Sequence, residues 1–325
     1  MVEGRAIRIH EHGGPDVLTE EAITLDAPGA GEVLVRQTAI GLNFIDTYIR
    51  TGLYPSRLPT IPGFEGAGVV EAVGEGVSDL AVGDRVAYPA LKATYASHLV
   101  GPADRMVKIP EGVSDEDAAA LMMKGMTAWM LLFEIRPVKP GDCLLVWAAA
   151  GGVGSVLVRW AKALGAEVIG VVSTEGKAQR ALTNGADHVL LSDADIPAEV
   201  KKITGGKGVD ISFDGVGKDS AMASLDSLKP RGLFVTYGNA SGPVDPIAPV
   251  MLNQRGSLMM TRPGLFHFIS TKEDLDRAAM AVFGALKVGA IQADIGQRFK
   301  LSDVAEAHKA LEGRKTVGAT VLIPN

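Results

Sequence analysis

Between Ala149 and Gly154 the chain reads A-A-G-G-V-G, preceded by the apolar run Cys143 to Ala148 and followed by an alanine-rich segment, Val153 to Leu164. The spacing Ala149-x-Gly151-x-x-Gly154 is a dinucleotide fingerprint with alanine in the first glycine place. Gly151 would let backbone approach a pyrophosphate, and Gly154 would let helix and strand pack closely. The amides around Gly152 and Val153, at a helix N-terminus, offer unpaired N–H groups and a positive dipole end. The alternative is an ordinary tight turn that packs a helix onto a sheet. The next strand, Glu167 to Val172, ends in Ser173 and Thr174 with no acid on it. An acid about 20 residues past the glycines would bind ribose hydroxyls. Lys177, with Ser173 and Thr174, instead suits a 2′-phosphate, so NADPH is favoured over NADH. Glu175 is the counterweight, able to take the ribose role or to repel a phosphate.

This turn needs a parallel sheet around it. After Met122, strands and helices alternate: Lys124 to Ile135 helix, Cys143 to Ala148 strand, Lys177 to Asn184 helix, Ala186 to Leu191 strand, Ile196 to Ile203 helix, Val209 to Asp214 strand, Ser220 to Leu228 helix and Gly232 to Tyr237 strand. That alternation predicts a doubly wound α/β sheet. Residues 257–261 add a late strand, Thr271 to Leu286 and Leu301 to Leu311 read as helices, and Thr320 to Ile323 as a final strand. Residues 1 to about 123 read differently, as short strands (Ala6 to Ile9, Glu32 to Ala39, Gly68 to Val73, Arg85 to Tyr88, Tyr95 to Val100) between glycine turns. Within them, Asn43 to Thr51 reads as a short helix, and another starts at Ser114 as its N-cap.

With 325 residues, two domains are expected. Net charge is -6 with no long block of one sign, which argues against nucleic acid as the main partner. The longest uncharged apolar stretch, Cys143 to Val158, is short for a membrane span and holds three glycines. No signal-peptide pattern opens the chain. The single cysteine, Cys143, excludes an internal disulfide and a multi-cysteine zinc lobe. A cytoplasmic location is expected.

Further segments carry a resemblance: H-G-G-P-D-V-L (12–18), G-L-N-F-I-D-T-Y-I-R-T-G-L-Y (41–54), P-G-F-E-G-A-G-V-V (62–70), V-G-D-R-V (82–86), K-G-M-T-A (124–128), W-A-K-A-L-G-A (160–166), I-T-G-G-K-G-V-D (203–210), D-G-V-G (214–217) and Y-G-N-A-S-G (237–242). With the glycine turn, they resemble the NADPH:quinone oxidoreductases, the zeta-crystallin-like branch of the medium-chain dehydrogenase/reductase superfamily. The resemblance implies a GroES-like, mostly β catalytic domain, residues 1–123 completed by 264–325, with a Rossmann domain inserted at 124–263. It implies an active site in the cleft between domains and a homodimer formed through the edge strand near Ser257 to Thr261.

It also implies site residues. Asn43, Tyr48 and Tyr54 are the polar candidates of the catalytic cleft, for orientation and oxyanion hydrogen bonding, and Asn43 and Tyr48 would face the nicotinamide. For Asn43 the plain alternative is a helix N-cap; for the tyrosines it is packing. Thr127, Tyr237, Gly238, Ser241 and Arg314 match cofactor-contacting positions. Leu191-Ser192 departs from the family, whose close members place a tyrosine near the adenine there. Asp46 reads equally as a first-turn carboxylate answering the helix dipole, and Glu65 as half of a structural ion pair. Zinc alcohol dehydrogenases of the superfamily need Cys and His where this chain has Asn43 and Phe64, so no metal is expected. A metal-free site needs an acceptor that takes hydride readily, such as a quinone. The readings that remain are an NADPH-dependent quinone reductase, an enone or 2-alkenal reductase with the same cofactor, and an NADPH-binding structural or RNA-binding protein.

Overall fold

The computed structural model describes residues 1–324, in two compact units. The first comprises Met1–Met126, Ile269–Gly284 and the chain from Ala293 on. Its seven-stranded sheet is centred on the eleven-residue strand Glu32–Leu42. That strand pairs antiparallel with Ala319–Ile323, with Glu65–Val73 and with His98–Pro102, so both ends of the chain build one sheet. Arg85–Pro89 and Val107–Lys108 extend it on one side, and Ile295–Lys300 on the other. The strand is apolar on its inner face, where Val33 and Val35 pack with Val70, Val86, Tyr88 and Leu99. Gly68 is a glycine because a Cβ there would overlap the Arg36 carbonyl oxygen of the neighbouring strand. A separate hairpin pairs Val2–Arg8 with Thr19–Leu25.

The second unit, Thr127–Phe268 with Ala285–Gln292, holds a six-stranded, all-parallel sheet. Its spatial order is His188–Leu191, Glu167–Val172, Cys143–Trp147, Val209–Asp214, Leu228–Thr236 and Met259–Thr261. Counted in chain order these are strands 3-2-1-4-5-6 of the unit, the doubly wound arrangement the alternating pattern predicted. Cys143–Trp147 is buried at all five residues, as expected of a central strand covered on both faces.

Two differences from the sequence reading have physical causes. The helices read as starting at Ser114 and Lys124 are one unbroken helix, Asp115–Trp129, which widens into a π-helical turn at Met130–Ile135. Ser114 does cap it, its Oγ accepting from the Asp117 N–H at 3.0 Å. Gly125 does not stop the helix; its missing side chain admits Val282, whose Cγ1 would lie 2.8 Å from a Cβ. By length and composition Asp115–Ile135 could cross a membrane, but 78% of its most apolar window is buried inside the protein, as in a core helix. Finally, the strands Thr19–Leu25 and Ile295–Lys300 escaped the pattern because polar residues occupy much of their length, T-E-E-A-I-T-L and I-G-Q-R-F-K.

Helix Phe44–Thr51 is tied to helix Val304–Glu312 by a charged fork. Arg50 is 1% exposed, and its Nη1 and Nη2 donate to Glu312 Oε2 and Oε1 at 2.9 and 2.7 Å while Nε donates to the Gly13 carbonyl at 3.0 Å. Glu312→Ala strands a buried guanidinium and should lower unfolding free energy by about 2–3 kcal/mol, less than for a fully buried pair because Glu312 is one-third exposed. Glu306→Ala, which removes only an exposed pair with Lys309, should stay within about 0.5 kcal/mol. Urea denaturation midpoints check both.

Candidate active site

In the parallel unit the glycine turn has the geometry its sequence required. Ala148 takes a left-handed conformation, φ 53°, which costs an alanine about 1 kcal/mol. It is held there by Ala149 N–H to Val171 O (3.1 Å) and Gly151 N–H to Ala148 O (2.8 Å). A Cβ on Gly154 would overlap the Ala148 carbonyl oxygen, so only glycine lets helix Gly152–Ala163 approach the strand. Gly170 clears space on the neighbouring strand, since a Cβ there would lie 2.9 Å from the Ala149 Cβ. The first amides of the helix, at Gly152, Val153 and Gly154, have no acceptor within it and can hold an anion. The turn therefore fits a dinucleotide pyrophosphate.

Ser173 and Thr174 are exposed at the carboxyl end of the adjacent strand. Thr174 caps helix Glu175–Thr183, its Oγ1 accepting from the Lys177 N–H at 3.4 Å. Lys177 is the third residue of that helix and half-buried, and Glu175 is exposed beside it. Tyr237 and Gly238 follow the fifth strand. Gly238 packs so closely that a Cβ would overlap the Gly215 carbonyl oxygen. The Ser241 hydroxyl donates to Val216 O and accepts from the Asp219 N–H, both at 3.0 Å; it braces the loop. The organiser of these loops is Asp214, whose role the sequence did not disclose. Its carboxylate accepts from Val216 N–H (2.8 Å), Gly217 N–H (3.0 Å), Ser220 Oγ (2.8 Å) and Ser224 Oγ (2.8 Å). Burial pushes its pKa up against the pull of these four donors. The glycine turn, Ser173, Thr174, Asp214 and Tyr237 all lie at or just beyond the carboxyl ends of parallel strands, where ligands bind in such sheets. Thr127 is half-buried on the long helix.

In the first unit the site is built on helix Phe44–Thr51. Asn43 occupies its N-cap position, and its backbone N–H donates to Asp46 Oδ2 at 2.8 Å. The Asn43 amide also engages a buried ion pair. Lys124 Nζ donates to Glu65 Oε1 at 2.6 Å and to Asn43 Oδ1 at 3.0 Å, and Asn43 Nδ2 donates to Glu65 Oε1 at 2.7 Å. The Met123 N–H completes the set on Glu65 Oε2 at 2.6 Å. Glu65 is fully buried and Lys124 is 4% exposed, so each charge is tolerable only because the other neutralises it. Glu65 thus forms the structural ion pair its position suggested. Lys124 was visible only as part of a motif, since nothing local reveals its partner 59 residues away. Tyr48 is buried and packs edge-on against Tyr54, ring centroids 5.2 Å apart, with Phe44 at 6.2 Å. Arg314 is exposed, two residues past the helix that carries Glu312, in a left-handed conformation of φ 57°.

Zinc does not suit this arrangement. Asn43 gives its carbonyl oxygen to an ammonium, Phe64 has no donor atom, and Glu65 is already neutralised by Lys124. Among the described residues no three His, Cys, Asp or Glu side chains converge to hold a metal ion.

Residues 152–285 match the zinc-binding dehydrogenase family, and residues 29–111 match the alcohol dehydrogenase GroES-like domain. The chain is 46% identical to a 2-haloacrylate reductase of a Burkholderia species, over 97% of this chain and 98% of that one. It is 45% identical to quinone oxidoreductase 1 of Escherichia coli, over 98% and 99%. The crystal structure of Escherichia coli quinone oxidoreductase complexed with NADPH superimposes with a TM-score of 0.96 at 44% identity, covering 98% of this chain and all of that one. The likeness thus runs through both units, and the chain belongs to the quinone oxidoreductase family of the medium-chain dehydrogenase/reductase superfamily.

Proposed function

We propose that this protein is an NADPH-dependent quinone reductase that passes reducing equivalents to a quinone without a metal. The observation that carries the reading is that Asn43, at one of the two positions where zinc relatives need a ligand, has its amide engaged by the buried Glu65–Lys124 ion pair. NADPH supplies the hydride when bound. The chain's own residues hold it: the amides of Gly152, Val153 and Gly154 with Ala149 and Gly151 take the pyrophosphate, and Ser173, Thr174 and Lys177 take the 2′-phosphate. Thr127, Tyr237, Gly238 and Arg314 contribute contacts along the cofactor, and Ser241 does so by bracing the loop. With no metal to polarise it, the acceptor must spread developing charge onto its own oxygen, as a quinone does. Asn43 has its amide engaged with Glu65 and Lys124, so it orients the reactants. Oxyanion donation falls to the hydroxyls of Tyr48 and Tyr54.

A second reading has support in one relative, the 2-haloacrylate reductase. An alkene conjugated to a carboxylate or carbonyl also takes hydride with charge moving onto oxygen, and the same site would serve it. A homodimer through Met259–Thr261 is part of the proposal. That strand ends the sheet, and Met259 and Met260 are 50% and 36% exposed, an edge that a partner would cover. A cytoplasmic location suits the lone buried thiol, Cys143.

A substrate panel at matched NADPH, with 1,4-naphthoquinone and 9,10-phenanthrenequinone against 2-chloroacrylate and short enals, should give the higher kcat/KM with the quinones; higher values for the alkenes would transfer the assignment to the second reading. NADPH should bind at least about tenfold more tightly than NADH by fluorescence titration, and Lys177→Ala should bring the two near parity, the loss of about one charge-assisted bond. Equal affinities in the unsubstituted protein would remove the role of Lys177. Light scattering should return the mass of a dimer, and Met260→Lys that of a monomer.

A further inference from the structure

Beyond the cofactor and acceptor sites, a buried polar chain runs through the first unit from its C-terminal helix to Asn43. Asp46 is fully buried. Its Oδ2 accepts from the Asn43 N–H at 2.8 Å and from the Tyr95 hydroxyl at 2.9 Å, and its Oδ1 is buried with no partner. The Tyr95 hydroxyl lies 3.0 Å from His308 Nε2, and His308 Nδ1 lies 2.9 Å from Arg50 Nη1. Arginine only donates, so Nδ1 is the bare nitrogen and Nε2 carries the hydrogen. His308 therefore donates to the Tyr95 oxygen, and the tyrosine proton is directed at Asp46. Arg50 is in turn clamped by Glu312. Every hydrogen in the series has one direction.

Of Asp46, Tyr95 and His308, only Asp46 changes charge near neutrality. Burial, with the Arg50 charge, pushes His308 down to about 3, so the imidazole stays neutral. Burial and Asp46 push Tyr95 well above its usual value. Burial raises Asp46 to about 7, against the Asn43 N–H and the Tyr95 hydroxyl, which pull it down. Glu65 faces Asp46 and adds to the rise, while Lys124 opposes it.

We propose that Asp46 is a positioning residue for Asn43, and that its charge is governed from the C-terminal helix through Arg50, His308 and Tyr95. The consequence for turnover rests on the reading of Asn43 as a site residue. Ionised Asp46 holds the Asn43 N–H in a charge-assisted bond, which fixes the helix start and the amide between Glu65 and Lys124. When a proton arrives it goes to Oδ1, because Oδ2 already takes two donors. The bond to Asn43 then weakens to that of a neutral acceptor, and the amide loosens. His308 carries no proton in this scheme; it orders the tyrosine hydroxyl.

The sign of the pH effect follows. Asn43 is held above the Asp46 titration and released as pH falls through it, so kcat/KM should drop on the acid side. Removing the Tyr95 hydroxyl takes a donor from the ionised form and moves that limb upward. The direct test uses the whole protein labelled with 15N-asparagine, the Asn43 backbone and side-chain amide signals being assigned by their loss in Asn43→Ser. In the unsubstituted protein they should shift with a midpoint near pH 7. Tyr95→Phe and His308→Leu should raise the midpoint by about one pH unit, the size of a charge-assisted bond. His308→Gln, whose amide can accept from Arg50 and donate to Tyr95, should restore it, and Asp46→Asn should abolish the transition. A midpoint unmoved in folded Tyr95→Phe, or no transition in the unsubstituted protein, overturns the proposal. Tyr95→Phe keeps the ring and so keeps the test if His308→Leu does not fold. If the signals shift as expected but quinone turnover is absent at every pH, the relay stands and the reductase reading falls.

Discussion

The catalytic unit depends on keeping one buried carboxylate, Glu65, charged and satisfied. A carboxylate removed from water is costly unless it is paired and hydrogen-bonded. Glu65 meets that demand with an ammonium, a side-chain amide and a backbone N–H, from Lys124, Asn43 and Met123. Satisfying it draws together the start of helix Phe44–Thr51, the first residue of strand Glu65–Val73 and the middle of the long helix. Asn43 is placed as a result, and so are the two tyrosines its helix carries, Tyr48 within the helix and Tyr54 just past its end. The same triad takes up the Asn43 carbonyl oxygen and the Glu65 carboxylate, so neither is left for a metal ion.

The parallel unit is governed by a different constraint, the closeness of backbones. Ala148 is bent into a left-handed conformation, and Gly154 and Gly238 each lie where any side chain would strike a carbonyl oxygen. Asp214 then binds two amides and two hydroxyls of the loop and helix beyond its strand. A buried carboxyl group is again the organiser, but here hydrogen bonds alone satisfy it. Such a cradle needs few charged residues, which is why it is compact enough for a cofactor to lie against main chain.

The sequence was most informative where structure is local. The strand–turn–helix around Gly151 and Gly154, the alternation of strands and helices after Met122 and the Ser114 cap are set by steric and hydrogen-bonding demands among neighbours, and each is legible from neighbours. Gly125 is the contrary case. Along the chain nothing marks its purpose, and in the fold it is a notch for Val282 within one continuous helix. The strands Thr19–Leu25 and Ile295–Lys300 are hidden in the sequence by their polar residues.

By itself, then, the sequence determined the fold class, the dinucleotide turn and the absence of zinc-type ligands at 43 and 64, since these depend on residue type and short spacing. Only the tertiary structure decided which polar side chains are spent on one another. Residues 43, 65 and 124 form one cluster, and residues 46, 50, 95, 308 and 312 form one chain, across separations of up to 262 residues. Their behaviour follows from burial. The same carboxylate at Asp46 would be an ordinary helix-start acid in water, and becomes a group that titrates near neutrality only because the folded chain removes water from around it.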